Sequence, residues 1–309
     1  MSRVLITGGA GMIGRALAEA LPPGDVLATD LARGDLPDHV RFRRLDVTGD
    51  DAHAVIADAR PDVVVHLASI VTPPPGMTRE KAHTVDVTGT RNVLAACVAH
   101  GVKRLVVTSS GAAYGYHADN PTPLTEDDAC RGNPEFAYAD HKRQVEELLA
   151  EARSKHPELE QVVLRIGTVL GAGVDNQITA LFQRKRLLAI KGSDSPFVFI
   201  WTRDLARIVT RAATDGPAGI YNVAGDGWLS VEALAAKLNK PVLRLPAGLL
   251  KAALAIGRPL GLTQYGPEQV RFLQYRPVLA NDRLKHVFGY TPELSSAEVF
   301  DLWQREAGL

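Results

Sequence analysis

The chain has 309 residues, enough for one large domain or for two smaller ones that share a core. Its 35 Lys and Arg residues balance 35 Asp and Glu residues, so the charge does not favour nucleic acid or an anionic membrane as a partner. The two cysteines, Cys97 and Cys130, have no metal-ligand spacing. We therefore expect no disulfide framework and no metal site, in a protein of the reducing cytoplasm.

Short β-branched segments alternate with longer amphipathic segments through the first half of the chain. Strands are predicted over Val4–Thr7, Asp25–Thr29, Val40–Asp46, Asp62–Leu67, Leu105–Thr108 and Gln161–Arg165. Between them, helices are predicted over Met12–Leu21, Ala52–Ala59, Arg79–His100 and Glu135–Ser154. Strands that are separated by helical crossovers indicate an α/β fold with a parallel sheet covered on both faces.

The second half of the chain is less regular after about Gly167. Strands at Phe197–Ile200 and Gly219–Val223 flank a predicted helix at Arg203–Ala213. Further helices are predicted over Ser230–Leu238, Gly248–Gly257, Pro267–Leu273 and Ser295–Glu306, and Ser295 with Glu298 forms a capping box for the last. Residues 1–166 therefore form the sheet domain, to which 197–224 return. Residues 167–196 and 225–309 form a smaller, mainly helical lobe.

The longest apolar segment runs from Leu245 to Leu262. Two prolines and two basic residues interrupt it, which argues against a membrane span. We expect a buried helix here, or one that lines an apolar pocket.

A glycine-rich turn lies where the first strand passes into the first helix. Gly8, Gly11 and Gly14 have the spacing GxxGxxG, which lets a backbone approach a dinucleotide diphosphate at a helix N-terminus. Asp30 ends the second strand, where a carboxylate accepts hydrogen bonds from the adenosine ribose and repels a 2′-phosphate. Asp30 therefore favours NAD over NADP. Arg33, if its side chain reached this site, would reduce that preference. The alternative is that Asp30 is an ordinary solvated loop residue.

Tyr138 and Lys142 are four residues apart on a predicted helix, so both side chains lie on one helix face. A neighbouring ammonium lowers the pKa of a phenol and allows it to exchange a proton with a substrate hydroxyl. Ser110 follows a buried strand, where it can hydrogen-bond a carbonyl or alkoxide. The alternative interpretation of Tyr138 and Lys142 is an ordinary surface pair on a helix. The alternative interpretation of Ser110 is a residue that caps a turn.

Further motifs follow one another along nearly the whole chain. They are TGGAGMIG (7–14), Asp30, HLAS (66–69), VDVTGTRNV (85–93), TSSGAAYG (108–115), YADHK (138–142), RIGTVLG (165–171), TRDLA (202–206) and YNVAG (221–225). With these motifs the chain resembles the extended short-chain dehydrogenase/reductases, the NAD-dependent epimerase/dehydratase family. The resemblance implies a Rossmann-type doubly wound parallel sheet with a substrate-binding lobe. It also implies a homodimer through helices 79–100 and 135–154.

The resemblance also implies roles for individual residues. Ser110, Tyr138 and Lys142 are the expected catalytic residues, and Lys142 also holds the nicotinamide ribose. The expected cofactor-binding residues are Gly8, Gly11, Met12, Ile13, Gly14, Asp30, Asp46, Val47, Leu67, Ala68, Thr108, Tyr138, Lys142 and Ile166. Among them, Asp46 either meets the adenine amino group or is simply an acid at a strand end. Ser110, Gly111, Thr168 and Trp201 are expected at the substrate.

Several positions depart from the family pattern. Asp86 replaces an asparagine, and Gly111-Ala112-Ala113 lacks the Asp-Glu pair of sugar-nucleotide dehydratases, which argues against dehydration. Trp201 replaces a histidine, Thr168 an asparagine and Phe197 an arginine that UDP-sugar epimerases carry. Because Phe197 offers a diphosphate no cation or donor, these changes indicate a more apolar pocket. The alternative is that the apolar residues fill the core.

Three functions are compatible with these observations. The first is a dehydrogenase or reductase that exchanges NAD and acts on a secondary alcohol or ketone of a small molecule. The second is a nucleotide-sugar 4-epimerase of the UDP-sugar type that retains NAD. The third is an inactive dinucleotide-binding sensor. The intact set of Ser110, Tyr138 and Lys142 argues against the sensor, and Phe197 with Trp201 favours the dehydrogenase. His117, His141 and Cys130 are expected to be loop, surface or packing residues.

Overall fold

The fold is taken from a computed structural model that describes residues 2–22, 24–74, 76–174, 176–263 and 265–309. The strands are β1 (Val4–Thr7), β2 (Val26–Asp30), β3 (Arg41–Arg44), β4 (Val63–His66), β5 (Arg104–Ser110), β6 (Glu160–Ile166), β7 (Thr168–Leu170), β8 (Leu187–Ile190), β9 (Phe199–Trp201), β10 (Gly219–Val223) and β11 (Val242–Leu245). Seven of them form one parallel sheet in the order β10-β6-β5-β4-β1-β2-β3. The chain reverses its direction of winding between β1 and β4, and ligands of such sheets bind beyond the carboxyl ends of the strands at this point.

Helices cover both faces of this sheet. They are α1 (Met12–Ala20), α2 (Asp51–Ala59), α3 (Arg79–His83), α4 (Gly89–Ala99), α5 (Ala137–Lys155), α6 (Gln177–Gln183), α7 (Thr202–Ala213), α8 (Val231–Lys237), α9 (Ala247–Gly257), α10 (Gln269–Gln274), α11 (Asp282–His286) and α12 (Ser296–Glu306). Side chains of α1 and α7 form the core on one face, and those of α2, α4 and α5 form it on the other. Because both faces are covered, β1 and β4 are buried at every position, which explains why the first three residues of each are apolar without alternation. The predicted α/β fold is therefore confirmed.

The second half of the chain divides between the main sheet and smaller layers. β10 joins the main sheet beside β6, and α7 packs on it. In contrast, β9 pairs with β7 outside the main sheet. The sequence did not predict β7, β8, β11, α6 or α11, which are three to seven residues long. The boundaries of the two lobes remain a prediction.

The helix that was predicted over Arg79–His100 has an insertion in its hydrogen-bond pattern. A π-helical turn over Thr84–Thr88 separates α3 from α4, and it contains Asp86. The wider turn of a π-helix is common at functional sites because it re-aims side chains. The other end of the chain follows the prediction, since Ser295 and Glu298 form the expected capping box of α12.

The expectation of a buried or pocket-lining helix within Leu245–Leu262 is wrong. In α9 only Gly257 is buried, and the large side chains of Leu249, Ile256, Leu260 and Leu262 are exposed. The core of this lobe is formed instead by aromatic residues that pack edge to face or stack, namely Phe182, Phe197, Phe199, Phe300 and Trp303. Within the described part of the chain, none of the helices has the length and apolar character needed to cross a membrane.

Candidate active site

The glycine turn forms a cradle that side chains would fill. Gly8 has a φ of +68°, and a Cβ atom there would lie 2.7 Å from the backbone nitrogen of Ala68. A Cβ atom at Gly14 would lie 2.6 Å from the carbonyl oxygen of Gly8. Gly11 caps α1, which leaves the first amide groups of this nine-residue helix free to meet an anion. The turn therefore fits the diphosphate of a dinucleotide.

Asp30 lies against this turn. Its carboxylate accepts hydrogen bonds from the backbone N–H groups of Ala10, at 3.1 Å, and Leu31, at 2.7 Å. These bonds hold a negative charge beside the cradle, where the ribose of a bound dinucleotide would lie. Arg33 does not reach towards this carboxylate, because its guanidinium donates to the carbonyl oxygens of Pro37 and Val40. The geometry supports NAD as the preferred dinucleotide.

Two other residues expected at the cofactor have clear structural roles. Asp46 accepts hydrogen bonds from the amide and hydroxyl groups of Thr48, which lower its pKa. Val47 is buried, and its side chain occupies the space beside Gly89. Contact of either residue with adenine stays a prediction.

The side chains of Ser110, Tyr138 and Lys142 come together at the carboxyl end of β5. Lys142 is almost fully buried and donates from Nζ to the carbonyl oxygen of Thr108 at 3.0 Å. Its ammonium lies 5.7 Å from the centre of the Tyr138 ring, one turn earlier on α5. Ser110 receives the Ala112 amide at its Oγ and also forms a hydrogen bond with Tyr138. The predicted trio is thus brought into one place by the fold.

The electrostatics of Tyr138 differ from the expectation. Burial raises the pKa of Tyr138 to about 12, the Ser110 hydrogen bond acts to lower it, and the charge of Asp86 raises it further. The sequence predicts instead that Lys142 lowers this pKa. Burial also lowers the pKa of Lys142, although the charges of Asp86 and Glu146 limit the fall. In the protein alone, therefore, the loss of hydration is the main influence on the pKa of Tyr138.

Two buried carboxylates supply negative charge beneath the lysine. Asp86 accepts from Ser69 Oγ at 2.9 Å, from the Ile70 amide at 2.8 Å and from His141 Nδ1 at 3.0 Å. Burial acts to raise the pKa of Asp86, but the His141 hydrogen bond and the Lys142 charge outweigh it and hold this pKa low. The second carboxylate, Glu146, is paired with Arg165. The aspartate that replaces the family's asparagine therefore brings a buried negative charge.

A cavity of about 380 Å³ opens above the trio. Met12, Ile13, Leu67, Thr108 and Ile166, all expected at the cofactor, line it together with Ser110, Gly111, Tyr138, Lys142 and Thr168. Its other walls are mainly apolar or aromatic and include Tyr116, Phe136, Phe197, Val198, Phe272 and Leu279. Trp201 is not among the lining residues, since its ring packs with the aromatic core of the C-terminal lobe and under Arg203. The fold thus groups all the expected substrate residues except Trp201.

Arg276 is a cavity residue that the sequence analysis did not identify. Its Nη1 donates to the carbonyl oxygen of Ser195, and its guanidinium lies 3.8 Å from the centre of the Phe197 ring. Nε has no partner, and no described carboxylate forms an ion pair with Arg276. Burial lowers its pKa to about 9. No sequence signal pointed to it, because it lies 138 positions beyond Tyr138 in a short irregular segment.

A dinucleotide cradle beside a Ser-Tyr-Lys trio defines an enzyme of the extended short-chain dehydrogenase/reductase class. Residues 4–224 match the model of the NAD dependent epimerase/dehydratase family. The chain therefore belongs to this family, whose members use NAD, and the match includes every residue of the trio.

Curated relatives divide between redox and epimerase chemistry. The sterol-4-alpha-carboxylate 3-dehydrogenase (decarboxylating) of Saccharomyces cerevisiae is 27% identical over 345 aligned residues, covering 96% of this chain and 95% of the yeast protein. The UDP-glucose 4-epimerase of Azospirillum brasilense is 32% identical over 215 residues, covering 62% of this chain and 60% of the relative. These two relatives therefore differ in their reaction and in their substrate, so their similarity to this chain does not identify its substrate.

Solved structures share the fold over nearly the whole chain. The UDP-glucose 4-epimerase of Thermotoga maritima, with UDP-glucose, superposes with a TM-score of 0.76 at 19% identity, covering 99% of this chain and 98% of that one. The Bordetella bronchiseptica enzyme WbmG, in complex with NAD and UDP, gives a TM-score of 0.75 at 21% identity, covering 99% and 94%. At these identities the likeness establishes the architecture.

Asp30→Ala should reduce the preference for NADH over NADPH by about tenfold, because charged hydrogen bonds contribute roughly 1.5–3 kcal/mol. Isothermal titration with each dinucleotide measures the ratio of dissociation constants. Asp38→Ala, which removes an exposed acid of the same loop, is the matched control and should leave the ratio unchanged. An unaltered ratio in Asp30→Ala would remove this residue from the ribose site.

Proposed function

We propose that this protein is an NAD-dependent oxidoreductase that oxidises a secondary alcohol or reduces the corresponding ketone. The observation that carries the proposal is the convergence of Ser110, Tyr138 and Lys142 at one edge of an apolar cavity. Nothing else among the lining residues offers a better acid or base, because the remaining walls are mostly aliphatic and aromatic.

Each member of the trio has a separate task. When bound, NAD⁺ supplies the hydride acceptor and a positive ring charge that favours the Tyr138 phenolate. Tyr138 takes the hydroxyl proton of the alcohol, or returns it to the ketone, through its phenol oxygen. Ser110, held by the Ala112 amide, donates a hydrogen bond to the same substrate oxygen. Lys142, anchored on the Thr108 carbonyl, holds the nicotinamide ribose and adds positive charge near the phenolate.

Arg276 indicates the chemistry of the rest of the substrate. A buried guanidinium without a carboxylate partner is costly for the protein, and an anionic ligand would offset that cost. Because the rings of Phe197 and Phe272 both lie close to its guanidinium, the site suits an apolar or ring-shaped body beside a carboxylate or phosphate. UDP-sugar epimerases carry an arginine at the position of Phe197. Arg276 supplies a positive charge close to that position in this protein.

A nucleotide-sugar 4-epimerase with retained NAD is the second candidate. Arg276 favours it, because a diphosphate beside a nucleobase would use the guanidinium and the aromatic walls equally well. The inactive sensor is not retained, because the complete trio lies at the cavity. The homodimer through helices 79–100 and 135–154 stays a prediction, and a groove between α4 and α5 lies on that face.

Tyr138→Phe should lower turnover by at least about 10²-fold, in the range of acid–base contributions, because the ring remains but the proton carrier is lost. The measurement pairs steady-state kinetics on a panel of alcohols and ketones with titration of NADH fluorescence. Dinucleotide affinity should stay within a few-fold of the parent protein. Near-normal turnover in this variant would contradict the proposed role of Tyr138.

Arg276→Met keeps an unbranched, flexible side chain, although a shorter one, and removes its charge. We expect kcat/KM for an acidic substrate to fall roughly 10- to 100-fold, as for the loss of a charged hydrogen bond. The methyl ester of the same substrate serves as the control and should be affected much less. Equal losses for the acid and the ester would mean that Arg276 has only a structural role.

Quantifying the dinucleotide released from freshly purified, denatured protein separates the two candidate reactions. For the proposed oxidoreductase we expect empty protein that binds NADH on addition, because cofactor exchange is part of each turnover. Mass spectrometry measures the molar ratio of dinucleotide to chain. Near-stoichiometric NAD would favour the epimerase and direct assays to nucleotide sugars.

A further inference from the structure

Tyr116 is a buried tyrosine that lines the cavity, and the proposed reaction does not use it. Its side chain is 5% exposed. Among the described residues, its hydroxyl forms no hydrogen bond, whereas those of the other two buried tyrosines, Tyr114 and Tyr221, donate to backbone carbonyl oxygens. Because buried tyrosine hydroxyls usually have a partner, the partner of this one is expected from within the cavity.

The ring of Tyr116 is held in place from two directions. Its backbone amide donates to the side-chain oxygen of the buried Asn133 at 2.6 Å. The ring itself meets Phe136 edge to face, with 4.9 Å between the ring centres, and Phe272 in the same way at 5.5 Å. The hydroxyl is therefore positioned before a ligand enters, and a donor that is held in advance loses little entropy on binding.

Tyr116 is a neighbour of both functional regions of the cavity. Tyr138 and Phe272 pack against the small buried cluster that contains Tyr116. The Phe272 ring also lies 4.8 Å from the guanidinium carbon of Arg276. The charges of Tyr138 and Arg276 both act on the pKa of the Tyr116 phenol, in opposite directions. A ligand that extends from the catalytic tyrosine towards the arginine would therefore pass this hydroxyl.

The phenol of Tyr116 is suited to donate a hydrogen bond and not to exchange a proton. Burial raises its pKa, and a negative charge on Tyr138 raises this pKa further, against the opposing effect of Arg276. Tyr116 therefore stays protonated while Tyr138 acts as the acid or base. A protonated phenol next to a reacting group contributes to binding and specificity.

A ligand that fills the cavity displaces the water that would otherwise solvate the Tyr116 hydroxyl. If the ligand offers an oxygen there, the hydrogen bond to water is replaced by one to the ligand. If it offers only hydrocarbon, the donor is left buried without a partner, which is costly. A site of this kind discriminates strongly against an analogue that lacks the oxygen.

We propose that Tyr116 selects a substrate that carries a second oxygen on a carbon near the reacting one. The reacting oxygen lies at Tyr138 and Ser110, the second oxygen accepts from the Tyr116 hydroxyl, and the acid group lies at Arg276. The substrate class is then a hydroxy acid with a further hydroxyl or carbonyl group on a partly apolar body. This order of groups rests on the proposed function, whereas the hydrogen bond between Tyr116 and a ligand does not.

Tyr116→Phe removes the hydroxyl and keeps the ring. The probes are cyclohexanol, 1,2-cyclohexanediol and 1,3-cyclohexanediol, bound to the complex with NADH, in which no group can accept a hydride and no reaction occurs. Ligand-observed NMR titration measures each dissociation constant. We expect the affinity of the tighter-binding diol, relative to that of cyclohexanol, to fall roughly three- to tenfold in Tyr116→Phe, as for the loss of one neutral hydrogen bond.

Tyr275→Phe is the matched control, because Tyr275 packs against the same cluster but is not among the residues that line the cavity. It should leave the relative affinity unchanged. The same relative affinity in the parent and in Tyr116→Phe, or no measurable binding of either diol to the parent, would overturn the proposal.

Thermal unfolding separates a role in binding from a role in folding. Because the Tyr116 hydroxyl has no partner in the described chain, Tyr116→Phe should unfold at the temperature of the parent. Tyr114→Phe removes a buried hydroxyl that is hydrogen-bonded to Thr125 and Asn222, and it should unfold at a lower temperature. An equal decrease in both variants would contradict the proposal, because it would give the Tyr116 hydroxyl a structural role. The expected affinities in a parent that turns over no alcohol or ketone would support the role of Tyr116 and contradict the proposed function.

Discussion

Burial of the Lys142 ammonium is the interaction on which the site depends. A cation in this position needs an acceptor and negative charge nearby, because water no longer solvates it. The carbonyl of Thr108 provides the acceptor, and the carboxylates of Asp86 and Glu146 provide the charge. Those carboxylates are buried too, so each needs partners in its turn. For Asp86 they are Ser69, Ile70 and His141, as described above.

These secondary partners tie the site to the rest of the sheet. Glu146 pairs with Arg165 on β6 and accepts from Ser109 on β5 at 2.6 Å. Arg165 donates to Tyr114, whose hydroxyl meets Asn222 on β10. Burial opposes the Arg165 charge, but its hydrogen bonds with Glu146 raise its pKa overall. A polar network of this kind is stable only when its members are satisfied together, so the catalytic lysine and the strand order stabilise each other.

The cavity has two regions with buried charges, and they differ in whether those charges are paired. Near Tyr138 the buried charges are arranged in pairs, and the phenol is kept protonated in the protein alone. Elsewhere in the lining, Arg276 is a buried cation that lies close to the rings of Phe197 and Phe272 and bonds to Ser195. In the first region the charges are therefore paired without a ligand, whereas Arg276 in the second region lacks an anion. A substrate that places its reacting hydroxyl near Tyr138 and an acid near Arg276 would use both.

The sequence by itself determined the parallel sheet, the glycine cradle and the trio, because each depends on spacing within one βα unit or one helix turn. It could not predict Arg276, since only the packing of α10 and the segment after it brings this residue to Phe197. It also misplaced Trp201 and the apolar segment containing Leu249. Hydrophobic pattern shows that a side chain prefers burial, but whether a neighbour covers it depends on contacts between residues far apart in the chain. The tertiary structure alone decided which apolar residues line the cavity and which face outwards.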